Sequence, residues 1–211
     1  NGTERYLAGW CPTRIGDGDE DQWGGSLVCH RMLFNADGTI DLKLPDGIDK
    51  KFTTLKKTVL IDKSGKAVKK EDSYVLSDVA SVSFPRLDKT CKIEATVKAT
   101  GNDDAFGFAF GACDDKTEVY SIRFDLKNKQ LVMSKDDLTR GTTPTQTNVA
   151  LTVPADKLFK VKIVAEKSVC VMYVNDKIAF SNRIDKMPKN PWAIFTDKGT
   201  EISFSDIKVY E

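Results

Sequence analysis

The chain has one histidine in 211 residues, His30, and its five cysteines, Cys11, Cys29, Cys91, Cys113 and Cys170, lie far apart with no Cys-x-x-Cys. Four-ligand zinc sites are built from closely spaced Cys and His, so neither a metal nor another cofactor is expected. The cysteines read as small buried hydrophobes, with one unassigned disulfide left open. No window approaches the roughly 18 to 20 apolar residues of a membrane span, so none is expected. The first residues, NGTERYLAGW, lack the basic segment and apolar core of a leader. Asn1-Gly2-Thr3 is a lone glycosylation sequon. Charge of one sign is missing too. The 32 basic and 31 acidic residues nearly cancel and form no long run, which excludes a polyanion-binding face and with it nucleic acid as a partner.

A helical period is also absent, and period-two alternation takes its place. Ile93, Ala95, Val97 and Ala99 share one face of KIEATVKA, with Lys92, Glu94, Thr96 and Lys98 on the other. The same alternation recurs in Phe106, Phe108 and Phe110; in Tyr120, Ile122, Phe124 and Leu126; in Phe159, Val161 and Ile163; and in Val169, Val171 and Tyr173. Gly101–Asp104, Lys127–Lys129 and Asn175-Asp176 separate such segments as hairpin turns. In the last segment, Ile202 and Phe204 hold one register and Ile207 and Val209 the other, so a bulge is expected near Ser205-Asp206. Pro154–Lys157 reads as a single turn.

From about residue 74 onward there is room for eleven or twelve strands, which suits two packed sheets of about six. The expected fold is all-β: a concanavalin-like two-sheet antiparallel β-sandwich over 74–211. The Lys-rich stretch 49–73 is weakly patterned and reads as a connecting segment with a solvated charged surface. Residues 1–48 hold three strand candidates, RYLAGW, SLVCHRMLFN and TIDLKL, the last two joined by the turn Asn35-Ala36-Asp37-Gly38. Three strands cannot enclose a core. They must pack on the sandwich, pair with another chain, or belong to a larger domain.

The order Gly9-Trp10, a polar loop, Trp23-Gly24-Gly25, His30-Arg31, Asp37-Gly38 and Pro45 resembles the end of the catalytic propeller in glycoside hydrolase family 32, the invertases, levanases and inulinases. There the fifth blade typically reads Gly-Trp, Trp-Ala-Gly, Pro-Arg-Glu-Leu, a Gly turn and a Pro. The form here is similar to the Bacteroides-type variant, with His30 in place of Pro and Met32 in place of Glu. That family follows its five-bladed propeller with a β-sandwich, and WAIFTDKGTEISFSDIKVYE is similar to the closing strands of such modules. The resemblance thus implies a remnant of the last blade over 1–48, a sandwich after it, and an upstream catalytic propeller as the partner within one parent protein. It also implies a periplasmic or extracellular parent that hydrolyses fructan or sucrose.

Retaining glycoside hydrolysis needs two carboxyl groups about 5 Å apart. The resemblance assigns them to Asn-Asp-Pro and Glu-Cys motifs, with a stabilising Asp in Arg-Asp-Pro, and none of the three occurs in this sequence. All precede the fifth blade in family order, so this chain is expected to be inactive alone. Asp103/Asp104 and Asp114/Asp115 read as turn residues, and His30, with no nucleophile signature beside it, as a structural strand histidine. The acidic loop Asp17–Asp21 departs from a calcium-binding pattern and reads as solvated. For sugar binding, Trp23 is the candidate aromatic platform, with Arg14 as a donor fork and Asp21 beside it; the other reading of Trp23 is a packing anchor between blade and sandwich. Oligosaccharide, fructan in particular, is the ligand class considered, and the alternative function is a lectin-like carbohydrate-binding sandwich. Trp10 and Trp192, in apolar strands, read as core. Strands of an incomplete blade have unpaired edges, which allows a dimer through them.

Overall fold

The computed structural model describes residues 4–14, 21–87, 90–111, 119–136, 145–167, 169–184, 191–198 and 200–211. The strands β1 (Arg5–Arg14), β2 (Asp21–Phe34) and β3 (Ile40–Lys43) form a small antiparallel sheet in that order. The turn expected between β2 and β3 is there: Gly38, at φ +84°, donates its N–H to the Asn35 carbonyl at 3.0 Å. Asp37 accepts from both the amide and the hydroxyl of Thr39 at 3.0 and 2.6 Å, which holds its carboxyl below the ordinary range. Pro45 then leads into a single helical turn, α1 (Asp46–Asp49).

Thirteen strands follow: β4 (Leu55–Lys56), β5 (Asp62–Lys70), β6 (Ser73–Arg86), β7 (Thr90–Ala99), β8 (Ala105–Phe110), β9 (Val119–Asp125), β10 (Gln130–Asp136), β11 (Thr145–Ala150), β12 (Leu158–Glu166), β13 (Val169–Val174), β14 (Ile178–Arg183), β15 (Pro191–Lys198) and β16 (Ile202–Tyr210). Every pairing is antiparallel, along the path β11-β10-β9-β8-β15-β6-β16-β7-β12-β13-β14, with β5 on β6 and β4 on β16.

The path folds into two layers because β6 serves both. Residues 80–86 pair with β15 and residues 74–76 with β16, on either side of Asp78 at φ 55°. β5 bends with it at Gly65, where φ is +64° and a Cβ would stand 2.1 Å from the Val79 carbonyl oxygen. Alternation puts the aromatics of both layers inside. Phe106 of β8 stacks on Phe124 of β9 at 5.0 Å and meets Phe204 of β16 edge-on at 6.2 Å, while Phe159 of β12 tilts against Phe124 at 5.2 Å. Trp192 stacks on Phe84 at 4.6 Å, in the core as expected.

Local signals land where expected. The register shifts between Ser205 and Lys208 with Asp206 at φ 52°, and Asn175 and Asp176 both take positive φ in the β13–β14 turn. Lys157 N donates to the Pro154 carbonyl at 2.9 Å, closing that single turn. Asp104, buried, accepts from the amides of Thr100, Gly101 and Thr200 at 3.2, 2.6 and 3.3 Å, so its charge stabilises two adjoining turns.

The Lys-rich stretch read as a join contains β5, a nine-residue strand with one buried residue, Ala67. Apart from Gly65, Ala67 and Val68 this outer strand is charged or polar, so its sequence shows no apolar alternation. Edge strands are commonly protected in this way from pairing with other chains.

Candidate functional site

Two faces of the small sheet carry different chemistry because β1–β2 register sets Gly9 opposite Val28, Leu7 opposite His30 and Cys11 opposite Ser26 on one face, and Trp10 opposite Leu27, Ala8 opposite Cys29 and Tyr6 opposite Arg31 on the other. The first face packs on the outer surface of the sandwich. Cys11, Val28 and Leu44 form an apolar cluster with Val169, Val171 and Tyr173 of β13.

His30 sits in that junction, 6% exposed, with Nδ1 at 3.0 Å from the Tyr173 hydroxyl and Nε2 at 3.1 Å from the Ser181 hydroxyl. Arg183 of β14 donates to the Cys11 carbonyl at 2.6 Å and to Ser26 Oγ at 3.4 Å, and Leu42 N of β3 donates to the Lys177 carbonyl at 2.9 Å. Burial lowers the His30 pKa and pushes the Tyr173 hydroxyl and the Cys11 thiol up. His30 is therefore a neutral tether, in keeping with its expected structural role. An unfolded histidine takes up a proton near pH 6.5 and the folded His30 only at lower pH, so its contribution is fully present above about pH 6.5 and is lost as pH falls toward the folded value. In urea titrations from pH 8 to pH 5, stability should fall below about pH 6.5, and His30→Gln should flatten that slope.

A second tether is ionic. Lys92, only 5% exposed on the outer face of β7, is hydrogen-bonded to Asp49 of α1 and pairs with Glu94 at 2.9 Å, beneath the rings of Tyr210 at 4.7 Å and Phe52 at 5.8 Å. Lys162 of β12 reaches the other Asp49 oxygen at 3.1 Å. Burial alone would raise the Asp49 carboxyl, but the bonds from Lys92 and Lys162 outweigh it and hold it below the ordinary range; desolvation likewise works against the Lys92 ammonium, and Asp49 and Glu94 overcome it. Arg31 and Lys43 of the small sheet bind Asp46 at the other end of α1, and Arg31 also pairs with Glu4 at 3.1 Å. The small sheet, α1 and the sandwich are thereby fastened together.

The second face of the small sheet is open. Tyr6, Trp10 and Leu27 are 43%, 53% and 78% exposed. This corrects the reading of Trp10 as core: its strand is apolar on both faces, and the described residues cover only one. Trp10 lies across β2, and a Cβ at Gly25 would fall 1.6 Å from its Nε1. Gly25 thus leaves room for this ring.

Of the candidate sugar-binding residues, Arg14 ends β1 and Asp21 begins β2, directly opposite in register, with Trp23 two residues further along. The backbone brings the three to one end of a hairpin; their side chains lie outside the described residues. Asp17–Glu20, Cys113 and Asp114/Asp115 lie outside them as well. Among the described residues, no group of three His, Cys, Asp or Glu is placed to hold a metal, Cys11, Cys29, Cys91 and Cys170 form no disulfide, and no helix is long and apolar enough to cross a membrane.

The two tethers and the open face were not legible as a site in the sequence. Their one signal was the three-strand segment too small to bury itself.

The family model for the GH32, BT1760-like, C-terminal domain matches residues 38–209. No curated protein matches the chain. Among solved structures, a fructosyltransferase from A. japonicus is similar at 13% identity with a TM-score of 0.63, covering 99% of this chain and 34% of its own. An exo-inulinase from Aspergillus awamori is similar at 14% identity and a TM-score of 0.64, covering 98% of this chain and 40% of its own. The carbohydrate-binding module CBM66 from Bacillus subtilis is similar at 11% identity and a TM-score of 0.58, covering 76% of this chain and 99% of its own. At such identities the likeness shows the fold alone. The chain spans about a third of the fructosyltransferase it resembles.

Proposed function

The chain belongs to the family of GH32, BT1760-like C-terminal domains, and from that premise we propose that it is the non-catalytic end of a glycoside hydrolase acting on fructan or sucrose, where it braces an upstream catalytic propeller. The observation that carries this reading is the two-faced small sheet. One face is fixed to the sandwich through His30 and Arg183; the other holds α1 at one end through Arg31 and Lys43 and presents Tyr6, Trp10 and Leu27 outward. A rigid sandwich fastened to a half-covered sheet stabilises whatever packs on the open half. Exposed apolar patches of this kind mark interfaces.

The parent, in this reading, is a periplasmic or extracellular enzyme. In the isolated chain, the outer edge of β1 is where a second copy would add to form a dimer. Incubated with sucrose, levan or inulin, the 211-residue chain should release no fructose, while a longer product of the same reading frame carrying the Asn-Asp-Pro, Arg-Asp-Pro and Glu-Cys motifs should release it steadily. Turnover by the short chain, or an upstream frame without those motifs, would sink the proposal.

A second reading places oligosaccharide capture at the β1–β2 hairpin end, because register brings Arg14 opposite Asp21 with Trp23 nearby. Trp23 would stack on a ring while Arg14 and Asp21 fix hydroxyls. Calorimetric titration with levan and inulin oligosaccharides should then show saturable heat that Trp23→Ala weakens about tenfold. No heat at millimolar sugar would remove this reading and leave the bracing role intact.

A further inference from the structure

Beneath the segment that joins β4 to β5, where the bent β5–β6 hairpin closes the edge of the sandwich, lies a cavity of about 460 Å³. Its walls include Leu60 and Val82 from the core, and its lining carries Lys57, Lys63 and Lys69 with no carboxylate. We propose that this cavity binds a sugar-sized organic anion, a phosphate ester or carboxylate, with the three ammonium groups around the charge and the apolar wall against the body of the ligand.

Three observations converge on it. Two other lysines of the same stretch are neutralised: Lys66 pairs with Asp78 at 2.6 Å, and Lys56 pairs with Glu211. Lys57, Lys63 and Lys69, the lysines that line the cavity, have no ion pair or side-chain hydrogen bond among the described residues. The strand register explains the sorting. Lys63 and Lys69 stand opposite Val82 and Tyr74, two core residues of β6, whereas Lys66 stands opposite Ser77 beside the bulge.

The second observation is Tyr74. It is 8% exposed, lines the cavity, and its hydroxyl has no hydrogen-bond partner among the described residues. The hydroxyl oxygen itself is not shut off from solvent, so an oxygen of a ligand in the cavity would replace water as its partner. Burial raises its pKa, so at neutral pH it is a donor, the complement of an anionic oxygen. The third is rigidity. The Tyr74 ring is held edge-on against Phe84 at 5.6 Å, and Phe84 stacks in turn on Trp192, so the donor is fixed before any ligand arrives. Three cations, one preset donor and an apolar wall in a cavity of this volume match the usual makeup of a small-molecule site.

Within the stretch that reads in sequence as a solvated charged surface, Lys56 and Lys66 are spent in ion pairs, while Lys57, Lys63 and Lys69 line a cavity. The claim is independent of the bracing role and of the hairpin-end reading, since the cavity shares no residue with either.

Titration of the 211-residue chain with glucose 6-phosphate, glucuronate, inorganic phosphate and glucose tests it. Glucose 6-phosphate and glucuronate should bind saturably and more weakly as salt rises. Lys63→Met/Lys69→Met should weaken them about tenfold or more, and Tyr74→Phe, which keeps the ring packing, should weaken them by several-fold. Both variants should keep the wild-type circular dichroism spectrum, and the lysine variant, altered only at exposed positions, stands alone as a test if Tyr74→Phe fails to fold. The proposal is overturned if no anion saturates below about 10 mM, if glucose or inorganic phosphate binds as tightly as glucose 6-phosphate, or if the folded lysine variant binds like the wild type.

Discussion

Asp49→Ala should lower the stability of the chain by about 3 kcal/mol, read as a shift of the urea midpoint at pH 7. Asp49 is the shared anion of two lysines from different strands, and one of them, Lys92, is 5% exposed beneath Tyr210 and Phe52. Removing the carboxylate leaves a desolvated ammonium with Glu94 alone, and an uncompensated buried charge costs more than the pair contributed. The double variant Asp49→Leu/Lys92→Met removes charge from both sides and should recover most of the loss. If Asp49→Ala costs under about 0.5 kcal/mol, as an exposed ion pair would, the pair is not a buried clamp. The pH dependence has a definite sign. The folded carboxyl lies below its unfolded value near 3.9, so the contribution is present above that value and is lost as pH falls through the folded one.

That clamp marks the boundary of what alternation reveals. KIEATVKA places Lys92 on the face away from the core, and the structure agrees on the face but buries the residue, because α1 and Tyr210 cover it. Trp10 fails in the opposite direction. Its strand is apolar throughout, which suggests burial, yet the indole is half exposed because the described residues cover one side of the sheet only. Parity along a strand is local and can be read from residues alone; whether the second face is covered depends on packing between distant segments. Features fixed by short-range geometry were legible for that reason, among them the Asn175-Asp176 turn, the bulge at Asp206 and the aromatic rows of β8, β9 and β12. β5 was not, since an edge strand protected by charge has the composition of a loop.

The strand position of His30 was evident, but its contacts with Tyr173 and Ser181 lie more than 140 residues away in sequence and have no local signature. Two glycines among the residues quoted for the glycoside hydrolase resemblance, Gly25 and Gly38, also meet local needs. Gly38 permits the positive φ of a turn, and Gly25 makes room for the Trp10 ring.

The central claim is that Tyr6, Trp10 and Leu27 form a face meant to be covered by the upstream domain of a longer protein. Trp10→Asp/Leu27→Asp tests it in two settings at once. In the 211-residue chain both side chains are more than half exposed, so the thermal midpoint should move little, by an amount on the order of 0.5 kcal/mol in stability. In the longer protein the same pair would place two carboxylates in an apolar interface, where the cost should exceed about 4 kcal/mol and lower the midpoint by many degrees. The account predicts this disparity between short and long forms. An equal, small shift in both would contradict it, because the face would then be solvent-exposed in the parent as well.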